Sequence, residues 1–170
     1  MKKVFVGILV LSLFAGSHAA FAEGEKVAYI DVAKVFDSYL KTKDNDRVLQ
    51  QSGKKKEDER DAIVHDIRQA KDEMALLNDD AKAKKQEGLT NKMKELQAFD
   101  AQTRAALGEQ RNKVVRDIFK EIDEAIQKYG KAKGLDMIYN ERALLYHNDK
   151  MDATKDIIDT LNKEYSSKKR

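Results

Sequence analysis

The chain has 170 residues, with no cysteine and no proline, and 37% of it is charged, with 33 basic and 30 acidic side chains. Without thiols it forms neither disulfides nor thiolate metal centres, and without proline its helices have no obligatory break. A formal net charge of +3 is too small for a general polyanion binder, so nucleic acid is not an expected partner.

The first 22 residues read as a signal peptide. Lys2 and Lys3 form the basic start, Val4 to Phe14 the apolar run, and Ala20-Phe21-Ala22 the small-x-small cleavage pattern before Glu23. A membrane span needs roughly 20 apolar residues, and Gly16, Ser17 and His18 interrupt this run too early. Cleavage after Ala22 places the mature chain in a bacterial periplasm, with 31 basic and 30 acidic residues.

Lys26 to Ile30 has strand character, and Asp31 stands where a helix N-cap belongs. Val32, Val35, Phe36 and Tyr39 then share one helical face. Polar residues from Lys41 to Asp46 loosen the pattern, so Asp44 or Asn45 is expected to cap a second helix. Further on, Ile63, Ile67, Ala70, Met74 and Leu77 form a heptad seam. Continued backwards, the same register meets Arg60, Lys56, Gly53 and Leu49, a polar gap partway up. Residues 78–88 read as the tip, because Asn78, Asp79, Asp80 and Gly88 are turn formers, although Ala81 to Glu87 could extend either helix. The returning helix gains apolar content from Leu89 towards Tyr129, and at ~1.5 Å per residue each arm extends roughly 50 to 65 Å.

After Gly130 and Gly134, two apolar runs, Leu135 to Tyr139 and Ala143 to Tyr146, are expected to pair as a β-hairpin. Thr154 and Asp156 open a last helix carrying Ile157, Ile158 and Leu161. The fold class is α+β and mostly helical. Residues 23–42 and 132–170 make a small β-strand head, and residues 43–131 make a long antiparallel helical-hairpin, or coiled-coil, arm. Val27, Tyr29, Val35, Phe36, Leu135, Met137, Leu144, Tyr146, Ile158 and Leu161 are the expected head core. A head of roughly 55 residues holds too little core to carry such arms alone, so subunits are expected to share it.

The opening KVAYIDVAKVFDSY (Lys26 to Tyr39), the close GLDMIYNERALLYHNDKMDATKDIIDTLN (Gly134 to Asn162) and the charged hairpin between them resemble the OmpH/Skp family of periplasmic chaperones. The resemblance covers the mature chain. It implies a homotrimer whose strands build the head and whose hairpins surround a cavity. It further implies an ATP-independent holdase for unfolded outer-membrane β-barrel proteins. Well-known family members are strongly basic and contact lipopolysaccharide, whereas here Lys43 to Lys131 holds 20 basic and 19 acidic residues. Contact with lipopolysaccharide or another anionic membrane component is therefore expected to be weak. Lys82, Lys84, Lys85, Lys92 and Lys94 cluster at the tip but interleave with Asp79, Asp80, Glu87 and Glu95.

No enzyme chemistry is legible, and no cofactor or metal is expected. The mature chain keeps only His65 and His147, neither beside metal-ligand company. Gly53-Lys54 lacks the glycine-rich run of a phosphate loop. Client binding is expected at Leu76 and Phe99, apolar residues off the seam, with Met74 and Met93 adding adaptable surface near the tip. Gly53 and Gly108, roughly mid-shaft on opposite arms, are candidate hinges, because helix-interior glycine costs about 1 kcal/mol relative to alanine. The rival reading is a structural adaptor whose coiled coil bridges components of the cell envelope.

Overall fold

A computed structural model describes residues 25–169; the expected signal peptide and its cleavage point lie outside them. Strand β1 (Val27–Ile30) leads into α1 (Val32–Ser38), and two long helices follow, α2 (Leu40–Ala75) and α3 (Asp79–Lys133). Strand β2 (Met137–Asn140), two short 3-10 turns and α4 (Thr154–Lys168) complete the chain.

Asp31 caps α1, its carboxylate accepting the Lys34 amide at 3.0 Å. The break after α1 falls earlier than Asp44 or Asn45: Tyr39 is extended, at ψ 125°, and α2 starts at Leu40. Its cap comes from far away. The Leu40 amide donates to Asn162 Oδ1 at 2.8 Å, and the Asn162 amide group donates back to Ser38 O at 3.3 Å. The orphan donors of a helix start can thus be satisfied by tertiary partners as well as by local ones.

The hairpin turn is also displaced from the expected tip at 78–88. It spans residues 76–78, and 79–88 form the first turns of α3. Asn78 is an N-cap that accepts the Ala81 amide at 3.0 Å, and Asp79 and Asp80 face the positive end of the helix dipole. The residues that suggested a turn are therefore a helix start. At its far end α3 stops at Gly134, left-handed at φ 63°, a conformation that costs glycine nothing.

β1 and β2 form a two-stranded parallel sheet, with Val27 opposite Met137 and Ile30 opposite Asn140. Parallel strands need a long crossover, and the whole arm is that crossover. The expected β-hairpin between 135–139 and 143–146 does not form. A 3-10 turn at Glu141–Ala143 diverts the chain, β2 takes β1 as its partner, and Tyr29 bridges to Asp152 on the other edge of β1. Residues 143–146 are left without a strand partner, so Leu145 (108% exposed) and Tyr146 (87%) stand in solvent.

The core lies where the root of the arm crosses the head. Ile30, Val35, Ile118, Ile122 and Ile157 are fully buried, joined by Ala28, Tyr39, Ala125, Ala153 and Leu161. Gly130 lets β2 approach α3: a Cβ there would sit 3.3 Å from Ile138 Cδ1. Thr154, at the start of α4, is buried and accepts the Asp31 amide at 2.9 Å, while its own amide donates to Asp152 at 2.8 Å. Along the arm, only Ile67 and Leu89 are buried on the seam beyond this root. The arm is therefore firmly rooted and thinly packed along its length.

Candidate functional site

The candidate site is the outer surface of the arm, set by which side chains the thin seam leaves uncovered. Ile63, Ala70, Met74 and Leu77 are half-buried beside Ile67, as a heptad seam requires. Leu76 follows Met74 by two residues in the turn and so faces outward, 88% exposed. Met74 lies instead in a groove of ≈ 480 Å³ between the helices near the tip, with Ala70, Gly88 and Leu89. Its rim is charged: Lys85 pairs with Glu73 at 2.9 Å and Lys92 with Asp66 at 3.6 Å.

Met93 is half-exposed, in a second groove with Leu96, Ala101 and Arg104. Phe99 is less open. The Lys56 ammonium lies 5.4 Å from its ring centroid, and Arg60 clasps Asp100 at 2.9 Å beside it. Phe99 and Gly53 line one groove, so a candidate binding residue and a candidate hinge come together. Gly53 and Gly108 lie nearly level, bracketed by the Lys41–Glu121 and Arg60–Asp100 pairs. A Cβ added at either would meet nothing within 4 Å, so packing does not explain why both are glycine.

The head carries its own exposed apolar surface. Of the residues assigned to its core, Tyr29, Val35 and Leu161 are buried, and Val27, Phe36, Leu135, Leu144 and Ile158 are half-buried. Met137 and Tyr146 are exposed, and so are Tyr139 and Leu145. Within one chain these four are therefore not packed, although Met137 and Tyr139 belong to β2, which pairs with β1. His147 stacks on Tyr29 with ring centroids 4.1 Å apart and reaches Glu141 at 3.4 Å and Asp149 at 3.9 Å. Among the described residues no group of three or more His, Cys, Asp or Glu could hold a metal ion.

A polar lock ties arm to head, and sequence reading missed it because most of its partners are 80 or more residues apart. The Tyr39 hydroxyl donates to Glu121 at 2.8 Å, and Lys41 pairs with the same carboxylate. Burial, then the bond to Glu121, pushes the Tyr39 hydroxyl pKa up. Burial also works to raise Glu121, but the bonds from Lys41 and Tyr39 outweigh it and hold the carboxyl below its ordinary 4.5. Asp44 accepts from Lys169 at 2.6 Å and Tyr165 at 3.0 Å, which holds its carboxyl below 3.8. Nearer in sequence, the Tyr129 hydroxyl donates to Asp156 at 2.8 Å, and burial, then this bond, pushes Tyr129 up to about 12.

Depressed carboxyl pKa values fix the sign of the pH response. Asp44 and Glu121 stabilise the fold above their unfolded pKa values, and that stabilisation disappears as pH falls through the lower folded values. Melting followed by circular dichroism should therefore fall between about pH 5 and pH 2. Asp44→Asn should flatten part of that slope, and an unaltered slope would place the acid sensitivity elsewhere.

Residues 26–161 match the family described as Outer membrane protein (OmpH-like). The fold matches the crystal structure of a proposed OmpH-like outer membrane chaperone from Caulobacter crescentus at 18% identity, with a TM-score of 0.70 over 95% of this chain and 92% of that one. No curated protein matches the chain.

Proposed function

This chain belongs to the OmpH-like family, and from that premise we propose that it is an ATP-independent periplasmic holdase for unfolded outer-membrane proteins. The observation that carries the reading is the arm itself, in which α2 alone extends for ~54 Å. It buries few residues beyond its root yet presents Leu76 (88% exposed), Met93 (50%) and Val48 (47%) to solvent. Weak apolar contacts spread along a rod hold a chain of any sequence, because each contact is easily exchanged and local concentration sums them. A single enclosed pocket would bind one sequence and release it slowly.

In the same reading the head assembles three chains. Strand β2 keeps an open edge, and the apolar run from Ala143 to Tyr146 has no partner within its own chain. A neighbouring subunit would supply both, and three arms would then enclose a client between them. Binding separates this from the adaptor reading: titrated against this protein, an unfolded β-barrel precursor should saturate at about one trimer per client and leave on folding. Preference for a folded partner would favour the adaptor.

Leu76→Ser with Phe99→Ser should weaken client retention several-fold while leaving the trimer mass unchanged. Phe99 is partly covered by Lys56, so Leu76→Ser alone should account for most of the effect. Unchanged suppression of client aggregation would remove both residues from the binding surface. Gly53→Ala with Gly108→Ala tests the bending zone. Both sites accept a Cβ, so small-angle scattering should report a narrower spread of arm openings, and an unaltered spread would dismiss the hinge.

A further inference from the structure

Glu141 and His147 flank the run that carries Leu145 and Tyr146, and they meet across its base. The imidazole Nε2 lies 3.4 Å from Glu141 Oε1, a contact that closes residues 141–147 into a loop. The other ring nitrogen is unmatched. Nδ1 is shielded from solvent and has no hydrogen-bond partner, with Asp149 Oδ1 still 3.9 Å away. The Asp149 side chain is itself fully exposed, so its carboxylate has room to close that gap. On its inner side the imidazole stacks against the buried ring of Tyr29 in β1, with centroids 4.1 Å apart.

A neutral imidazole has one N–H and one lone pair. With the N–H given to Glu141, the Nδ1 lone pair stays shielded beside a second carboxylate, an unsatisfied acceptor that costs free energy. Protonation turns both nitrogens into donors. Nε2 then keeps Glu141, Nδ1 gains Asp149, and the positive ring rests against Tyr29, whose quadrupole favours a cation. The groups that face the imidazole are Glu141 from the first 3-10 turn, Asp149 from the second and Tyr29 from β1. Asp152, bridged to Tyr29, adds a third carboxylate, while Arg142 and Lys150 on the same turns are exposed. The surroundings are therefore negative: burial, then Asp152, Asp149 and Glu141, push the Tyr29 hydroxyl above its ordinary 10.0.

We infer that His147 is a proton-operated clasp that positions Leu145 and Tyr146 for association, closed when the imidazole is charged and loosened when it is neutral. Leu145 and Tyr146 stand in solvent in the single chain, so the ends of the loop set their order. A closed loop has less conformational freedom to lose when it docks. Imidazole is the side chain whose ordinary titration falls between pH 5 and pH 8, so association is strongest at the acid end of that range and weakens as pH rises. Below about pH 5 the loss of the Asp44 and Glu121 bonds takes over. The inference rests on the reading that the head assembles three chains, and it adds the condition that favours their assembly. A partly exposed ion pair shifts an equilibrium by a few-fold, and three clasps per trimer multiply to roughly tenfold.

The test is sedimentation equilibrium of the mature chain at about pH 5.5 and about pH 8, at one ionic strength, with circular dichroism to confirm equal helix content. The three-chain association constant should be roughly tenfold lower at the higher pH. His147→Gln keeps a donor of similar size but cannot be charged, so it should show the weaker constant at both. Glu141→Gln with Asp149→Asn removes the two anions and should reduce the ratio although the histidine remains. His65→Gln removes the mature chain's other imidazole, exposed on the arm, and should keep the full ratio. Equal constants in the unaltered protein, an undiminished ratio in His147→Gln, or a ratio lost in His65→Gln would overturn the clasp while leaving the trimer in place. A chain that stays monomeric at both pH values would overturn the three-chain reading together with it.

Discussion

Replacing Leu145 and Tyr146 together by aspartate should convert the assembled protein to monomers. Both side chains are fully or nearly fully exposed in the single chain, so neither contributes to the fold of one subunit by itself. Burying such a residue gains about 1.5 to 3 kcal/mol; in the proposed trimer two residues in each of three subunits would then carry roughly 9 to 18 kcal/mol of its stability. Placing a charge there adds a desolvation cost to that loss. Sedimentation or light scattering should show a threefold lower mass, with the far-ultraviolet helix signal of the arm largely retained. A double variant that keeps its full mass would move the association surface away from this run.

The second large effect belongs to the root. Ile122 is 1% exposed, in the cluster that joins α3 to β1, α1 and α4. Ile122→Ala deletes buried carbons and leaves a cavity, at a cost of about 2 to 5 kcal/mol. Met93→Ala, half-exposed on the same helix, should cost under about 0.5 kcal/mol. Hydrogen exchange separates the two: loss of protection in β1 and α4 is expected for Ile122→Ala and not for Met93→Ala. Equal effects would mean that the arm is one uniform cooperative unit, against the thin packing seen beyond its root.

Local signals in the sequence translated well where both partners were local. Asp31 caps the helix that it precedes, and the spacing from Ile63 to Leu77 is the seam on which the hairpin closes. Two of the mistakes came from partners far away in the chain, and a third from a local signal that serves both turns and helix starts. Asn162 caps α2, so the residues at 44 and 45 had no capping to do. Met137 to Asn140 chose β1, 110 residues upstream in register, over the nearer run at 143–146. Asn78, Asp79 and Asp80 were read as turn formers, although the same three residues are a strong helix start.

The strand-pairing error shares a physical origin with the proposed activity. A chain whose head leaves a strand edge and an apolar run unpartnered is specified only in part by its own contacts. In the proposed function the remainder of its packing would come from other chains, first from its copies in the head and then from an unfolded client along the arms.

One measurement tests that account most directly. A urea-denatured outer-membrane β-barrel protein is diluted into buffer with this protein, without nucleotide, and turbidity and the mass of the soluble complex are recorded together. The account predicts that turbidity is suppressed at about one trimer per client and that the complex has the mass of three chains plus one client. Full turbidity in the presence of an intact trimer would contradict it.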